Sequence, residues 1–268
     1  MKKIHGITVL SFLLLWGWGL GPAAGSPQEV QKSQIQKAKI FQDEYQLISE
    51  SDLYCSIYAL EKPDYDIRVI SSERGGEKLL SSDADTLYID KGKQDGLEVG
   101  QIFLIVSVGD RLSDPVSGKS VGYLVSRRGK ARIVRLEEDR GIVTAEKVCG
   151  QVMAGDFLVP FQEKEGALGK DEGFDAFLEE DKGLNGNIVY LDRDYRIVGS
   201  GSWGIIDLGG DDGLQVGQQL TVFKRVQKDV PRQAIGNIVV IDIQPKTATF
   251  KVLSSRDSLE IGFGVQSK

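Results

Sequence analysis

The 268-residue sequence has very little histidine, since its one histidine is His5. No imidazole is therefore available over the rest of the chain, which excludes Ser-His-Asp and Cys-His catalysis and the histidine-containing zinc sites. Positive charge is also in deficit, with 33 Lys and Arg against 39 Asp and Glu. Because phosphate backbones and anionic membranes are held by clustered Lys and Arg, the composition argues against nucleic acid as a partner.

Long apolar runs are absent after residue 20. The run at 7–20 follows Lys2 and Lys3 and precedes small residues up to Ser26, which is the order of a secretory signal peptide cleaved after Gly25. The run is shorter than the ~20 residues of a comfortable membrane span. We therefore expect export to the bacterial periplasm without a stable membrane span, and an uncleaved N-terminal anchor is the alternative.

Cysteine is scarce too, with only Cys55 and Cys149. In an oxidising compartment the two could form a disulfide that staples the two ends of one domain. Two buried free thiols fit the sequence equally well, because the geometry that a disulfide requires cannot be read from sequence. The sequence leaves both alternatives open.

Short strand-like segments, in contrast, fill most of the chain from residue 53 onwards. They are rich in Val, Ile, Tyr and Phe and are separated by Gly, Asp or Ser, which predicts small antiparallel β-barrels or sandwiches. A polar stretch before them and an acidic, glycine-rich stretch between them mark the boundaries. The predicted regions are a signal peptide at 1–25, a polar tether at 26–51 that is helical or disordered, a first β-module at 52–161, an acidic linker at 162–184 and a second β-module at 185–268.

One phrase occurs in both modules. DKGKQDGLEVGQ at 90–101 recurs as DLGGDDGLQVGQ at 207–218, and a duplicated module explains this match. Glycine adopts positive φ without steric cost, and a preceding Asp closes a turn by a local hydrogen bond. The phrase is therefore interpreted as a folding signal, with structural turn roles for Asp95, Gly96, Gly100, Asp212, Gly213 and Gly217.

Two chemical interpretations of this phrase are weaker. Calcium loops place acidic ligands at alternate positions and close with Glu, whereas Gln101 and Gln218 occupy the closing position here. Carboxylate catalysis needs two acids in one cleft with separated pKa values, and exposed turn aspartates lack the apolar pocket that would raise one of them. We expect no catalytic residue, no metal and no cofactor.

Two further features suggest where a partner could bind. The middle loop of the first module, at 109–122, is longer than its counterpart in the second module, and long loops often carry contact sites. Trp203 is the only tryptophan after residue 25, so a glycan-binding protein that uses Trp203, Tyr190 and Tyr195 is an alternative function. A half-buried core position explains Trp203 as well, because it alternates with Ile205 along one strand.

The segments IDKGKQDGLEVGQIFLIV, VGYLV, GIVTAEKV and AGDFLVPF resemble the C-terminal domain of flagellar assembly protein T. They are also similar to the small β-barrel modules of LysM-associated bacterial envelope proteins. The resemblance implies an all-β protein of two tandem SH3-like antiparallel barrels, without catalytic residues, that acts as a structural or interaction module. No LysM-like segment occurs at 26–52, and Phe263 stands where the pattern has Asp, so the last strand is expected to be irregular.

Together these observations predict an exported, non-enzymatic envelope protein, linked to cell-wall or flagellar assemblies. Its expected partners are other envelope proteins, with cell-wall glycan as the alternative.

Overall fold

The computed structural model describes residues 44–268, with gaps at 74–77, 80–82, 179–182 and 225–230. The predicted signal peptide and the tether up to residue 43 lie outside the described residues. The first half contains β1 (Tyr45–Ile48), α1 (Glu50–Cys55), β2 (Ile57–Leu60), β3 (Ile67–Ser72), β4 (Lys78–Leu79), β5 (Thr86–Ile89), β6 (Ile102–Ser113), β7 (Ser120–Leu136), β8 (Gly141–Val148), β9 (Val152–Met153), β10 (Phe157–Pro160) and β11 (Ala167–Gly169).

The second half contains β12 (Asn185–Leu191), β13 (Ile197–Val198), β14 (Trp203–Ile206), β15 (Gln219–Lys224), β16 (Gln233–Ile243), β17 (Ala248–Ser255), β18 (Leu259–Glu260) and β19 (Gly264–Ser267). Short 3₁₀ turns occupy Lys93–Asp95, Asp192–Asp194 and Gly210–Asp212. In the described part of the chain, no helix is long and apolar enough to cross a membrane.

The described part of the chain contains two closed antiparallel barrels, which confirms the predicted all-β class. The first has the strand order β7-β6-β10-β3-β5-β8 and closes because β8 pairs with β7. Strand β2 pairs with residues 123–126 of β7, outside the segment that pairs with β8. The second has the order β16-β15-β19-β12-β14-β17 and closes in the same way. Strand for strand the two orders are identical, so the sequence repeat is a repeat of complete barrels.

Bulges fall at equivalent positions in the two barrels. In the first, the pairing shifts between Ile105 and Val106 and again between Ile133 and Arg135. In the second, it shifts between Val222 and Phe223 and between Val240 and Asp242. A bulge bends a strand and increases its twist, which a small barrel needs in order to close.

Alternation of side chains fills each interior. In β5, for example, Leu87 and Ile89 are buried while Thr86 and Tyr88 are half-buried. Each fully buried Leu, Ile or Phe stabilises the fold by about 1.5–3 kcal/mol. The largest completely buried side chains of the two barrels include Leu87, Ile89, Ile105, Ile133 and Leu158 in the first and Ile188, Leu191, Ile206 and Phe250 in the second.

The regions predicted to be a tether and a linker form structure with each other. Residues 45–48, expected in a helical or disordered tether, form β1, and it pairs with β11 from within the predicted linker 162–184. The helix that does form, α1, begins at a capping box in which the Ser49 and Asp52 side chains bond each other's backbone N–H groups.

The predicted long loop at 109–122 is a hairpin. Strand β6 continues to Ser113 and β7 begins at Ser120, which leaves a turn at 114–119. The Asp114 side chain closes this turn by accepting the N–H groups of Val116 (3.0 Å) and Ser117 (2.9 Å). The last strand is also more regular than expected, because β19 pairs with β12 and β15 without a register shift.

Candidate functional site

The repeated phrase packs against the hairpin that follows it in its own barrel. A side chain at Gly92 or Gly209 would collide with backbone atoms of residues 137–140 or 244–247, respectively, so only glycine fits at these positions. The equivalent backbone hydrogen bonds are Lys93 N to Glu137 O (3.0 Å) and Gln94 N to Glu138 O (3.1 Å) in the first copy, and Gly210 N to Gln244 O (2.9 Å) and Asp211 N to Pro245 O (2.8 Å) in the second.

The aspartates of the phrase accept hydrogen bonds from the same turn. A carboxylate oxygen of Asp95 accepts the N–H of Gly92 at 2.9 Å, and Asp212 accepts the N–H of Gly209 at the same distance. The Gly92 N–H, helped by the Lys91 ammonium, holds the pKa of Asp95 below its usual value. Within the two copies of the phrase, the glycines with positive φ are Gly96 (79°), Gly100 (95°), Gly213 (83°) and Gly217 (85°).

These contacts hold both copies of the phrase in the same turn conformation. Gln101 and Gln218, at the position where a calcium loop has Glu, each accept a backbone N–H of their own turn, at 3.1 and 3.2 Å. Among the residues that the structure describes, no group of three acidic, Cys or His side chains is placed to hold a metal ion.

Cys55 and Cys149 form a disulfide, with their Cα atoms 5.3 Å apart. Cys55 ends α1 and Cys149 follows β8, so the bond fastens the helix to the first barrel. Of the two alternatives that the sequence left open, the structure contains the disulfide and not two free thiols.

The barrels are joined through β2 and the hairpin β6–β7. Strand β2 pairs with β7 of the first barrel, and the hydroxyls of Thr249 and Thr247 from the second barrel donate to the carbonyls of Ile57 (2.6 Å) and Ala59 (3.2 Å). Apolar side chains from both barrels share one buried cluster, namely Ile57, Ala59, Leu112, Val121, Leu124, Val189, Tyr190 and Ile205. The hairpin expected to face a partner therefore contacts the second barrel.

A buried ion pair crosses this interface. Arg127 of β7 and Asp242 of β16 are 6% and 7% exposed, and an Arg127 Nη2–H donates to Asp242. Lys164 donates to the other carboxylate oxygen at 2.7 Å, and the guanidinium lies 4.4 Å from the ring centroid of Tyr58. Burial raises the pKa of Asp242, but the charges of Arg127 and Lys164 outweigh it and lower the pKa overall.

Trp203 takes part in a second polar contact across the interface. Its indole N–H donates to Asp52 of α1 at 2.8 Å, and Lys251 donates to the other oxygen of Asp52 at 2.7 Å. Burial raises the pKa of Asp52, but these donors and Ser49 outweigh it and lower the pKa overall. Trp203 is half-buried, as its alternation with Ile205 suggested.

The other residues of the predicted glycan site do not share one exposed surface with Trp203. Tyr190 is buried in the interface cluster, and its hydroxyl accepts the N–H of Asp194 at 3.2 Å. Of the three aromatic residues of this predicted site, only Tyr195 is exposed. The ring of Tyr190 is therefore not accessible for the stacking that the glycan alternative requires.

An aromatic groove remains exposed on the first barrel. It encloses about 470 Å³. Its rings are held in place by neighbours: Tyr65 lies 5.8 Å from Phe157, the Arg68 guanidinium lies 5.0 Å from the Phe157 centroid, and the hydroxyls of Tyr65 and Tyr58 are 2.7 Å apart. Burial raises the pKa of Tyr65. The groove is lined by Lys62, Pro63, Asp64, Tyr65, Arg68, Val108, Tyr123 and Phe157.

Sequence reasoning missed the groove and the ion pair for different reasons. The rings of the groove come from positions as distant as Tyr65 and Phe157, and no local pattern connects them. Asp242, however, interrupts the apolar run IVVIDI. A carboxylate inside a buried strand requires a cationic partner, so this run was a usable signal.

No known protein-family model matches the chain, and no curated protein matches it at a significant level. The resemblance to flagellar assembly protein T stays a prediction from the quoted motifs.

Proposed function

We propose that this protein is an exported, non-enzymatic envelope protein that acts as a rigid protein-interaction module. One observation carries the proposal: the two barrels bury a shared apolar cluster and an ion pair between them, while the aromatic groove stays exposed on the fused body. A surface fixed before binding loses little conformational entropy when a partner docks, which favours recognition.

The composition of the groove supports a protein partner. Aromatic residues and arginine are enriched at the centres of protein interfaces, where rings supply contact area and guanidinium groups supply directed hydrogen bonds. Here Arg68 lies over Phe157, and the Arg111 guanidinium lies 5.9 Å from the Tyr123 centroid. Lys62 and Arg68 line the groove against one acid, Asp64, so the lining is net positive although the whole chain is acidic. This charge suits a partner segment with an apolar anchor beside an acidic residue.

The disulfide supports export. Disulfides persist in the periplasm and other oxidising compartments and are rare in the cytosol. The signal-like order of residues 1–26 is in agreement with that environment.

The test is a crosslinking capture from envelope extract with wild type, Tyr123→Ala and the control Tyr195→Ala. Both tyrosines are exposed, at 37% and 53%, but only Tyr123 lines the groove. We expect a consistent set of envelope proteins that Y123A loses and Y195A retains. Capture that Y123A leaves unchanged would contradict the groove as the contact surface, and retention of cell-wall glycan alone would favour the glycan alternative.

A further inference from the structure

A second cavity, of about 510 Å³, lies at one end of the second barrel and beside the tip of the β6–β7 hairpin. Its volume is within the range of small-ligand sites, roughly 300–1,000 Å³. Among the lining residues that the structure describes there are two cations and no acid. The lining comprises Val116, Asn185, Gly186, Asn187, Phe223, Lys224, Arg232, Ile261, Gly262, Phe263 and Gly264.

Arg232 is the unusual residue of this cavity. It is only 7% exposed, and its Nη1 donates to two neutral acceptors, Asn185 Oδ1 at 2.7 Å and Gln266 Oε1 at 3.2 Å. Its Nε is buried and has no hydrogen-bond acceptor among the residues that the structure describes. Within the described residues no carboxylate forms an ion pair with it. A buried cation with an unused donor and no counter-charge is unfavourable unless an anion completes it.

The unused donor lies on the edge of the guanidinium that binds carboxylates. Nε and Nη2 present parallel N–H groups, and a carboxylate accepts both at once. Lys224 adds positive charge to the lining, although Asp257 pairs with it and reduces its effect. The ring of Phe223 lies 4.8 Å from the guanidinium and keeps that group in place.

The described residues of the first barrel form no equivalent site, so the cavity is not a property of the fold that the two barrels share. By strand register the position of Arg232 corresponds to Val125, which is completely buried among apolar neighbours. Phe263 likewise takes the place of Asp156 of the first barrel. Compared with the first barrel, the second barrel thus has an additional buried cation and one carboxylate fewer in the same region.

We propose that this cavity binds a carboxylate that is attached to an apolar group, as at the C-terminus of a peptide chain. The Nε edge of Arg232 donates hydrogen bonds to the carboxylate, and Val116, Ile261 and Phe263 contact the apolar group. The inference rests on the proposed function, because it names the chemistry of a partner's chain end. A free apolar carboxylic acid carries the same chemistry, and the experiment distinguishes the two sources.

Isothermal titration calorimetry on the full chain tests it with acetylated pentapeptides that end in Phe, Leu or Val, each as the free acid and as the C-terminal amide. Because a hydrogen bond to a charged group is stronger than a neutral one, we expect the acid to bind about 10-fold more tightly than the amide or better. Tighter binding of the peptides than of N-acetylphenylalanine assigns the site to chain ends, and equal binding assigns it to free carboxylic acids. No preference for the acid in any of the three pairs would overturn the proposal.

Variants locate the binding. R232Q should abolish the preference for the acid. R232K keeps the positive charge but lacks the two parallel N–H donors of the guanidinium, so it should weaken the preference. Because R232Q could unfold, V116E provides a second route: Val116 is exposed, and a carboxylate there repels the ligand. Val134, exposed on the first barrel, gives the matched control V134E. If V116E and V134E bound the free-acid peptide with equal affinity, the peptide would not bind in this cavity.

The failure of this inference is separable from failure of the proposed function. Carboxylate binding is measured with purified components, and capture of partners depends on the groove. Y123A should leave the carboxylate affinity unchanged, so loss of affinity in Y123A would contradict a separate site at Arg232.

Discussion

The first and second barrels share their strand order, their bulges and their glycine-aspartate turns, yet the residues that join them are not shared. By strand register Arg127 corresponds to Ala234 in the second barrel, and Asp242 corresponds to Arg135 in the first. Ala234 is completely buried, whereas the Arg135 side chain is largely exposed. The positions that the copies retain fold each barrel, and the positions at which they diverged attach one barrel to the other.

The largest expected effect is at the ion pair. Asp242→Ala leaves Arg127 buried without its carboxylate, so we expect the free energy of unfolding to fall by about 3–5 kcal/mol in urea denaturation. The matched variant in the first barrel, R135A, should change it by about 0.5 kcal/mol or less, because its side chain is exposed. Similar losses in both variants would show that the two positions have not diverged in role.

The disulfide is the next difference between the copies, since Arg256 occupies the position in the second barrel that corresponds to Cys149. Replacing both Cys55 and Cys149 by Ser should lower the free energy of unfolding by about 2–4 kcal/mol. A reductant should produce the same loss in the wild type and none in the double variant. If reductant leaves the wild type's unfolding midpoint unchanged, the bond does not stabilise the barrel.

A shared position should respond equally in both copies. An added methyl at Gly92 or Gly209 would be forced against carbonyl groups of the following hairpin, so G92A and G209A should each destabilise by about 1–3 kcal/mol. Gly199 has open space around it and is the control for the glycine-to-alanine change itself. Thermal unfolding of the three variants measures the loss of stability. If only one of G92A and G209A were destabilised, the two glycines would not have equivalent roles.

The smallest expected effect is a pH dependence at one position, Asp156 of the first barrel, that the equivalent position of the second barrel lacks. Burial raises the pKa of Asp156 above 3.8, although its hydrogen bond from the Met153 N–H opposes this, and Phe263 at the equivalent position does not titrate. A raised pKa in the folded state means that Asp156 contributes stability at low pH, which is lost as the pH rises through its folded value.

D156N should therefore gain stability relative to the wild type as the pH rises from just below 4 through that value, and the difference should be flat above it. Urea unfolding at successive pH values measures the difference between the two proteins. If the wild type instead became more stable relative to D156N as the pH rises, the fold would stabilise the ionised carboxylate of Asp156, which contradicts the raised pKa.

Local sequence patterns predicted the barrel strands well, but they did not predict the short strands β1 and β11 or the hairpin at 109–122. Alternating Val and Ile residues marked β5 and its neighbours, and the repeated phrase identified both turns at the correct residues, because strand period and turn chemistry act within a few residues. Strands β1 and β11 escaped prediction, since each is short and forms only against the other. The predicted loop at 109–122 extends as a hairpin because the second barrel supplies an apolar surface for Leu112 and Val121.

The sequence by itself determined the strand-rich class, the duplication and the turns, because glycine conformation, aspartate capping and side-chain alternation are properties of neighbouring residues. Only the tertiary structure decided that Cys55 meets Cys149, that Arg127 meets Asp242 and that Arg232 is buried with its Nε unpaired among the described residues. Burial and the pairing of distant charges depend on which surfaces of the chain come into contact after the barrels close. No local sequence pattern specifies these contacts.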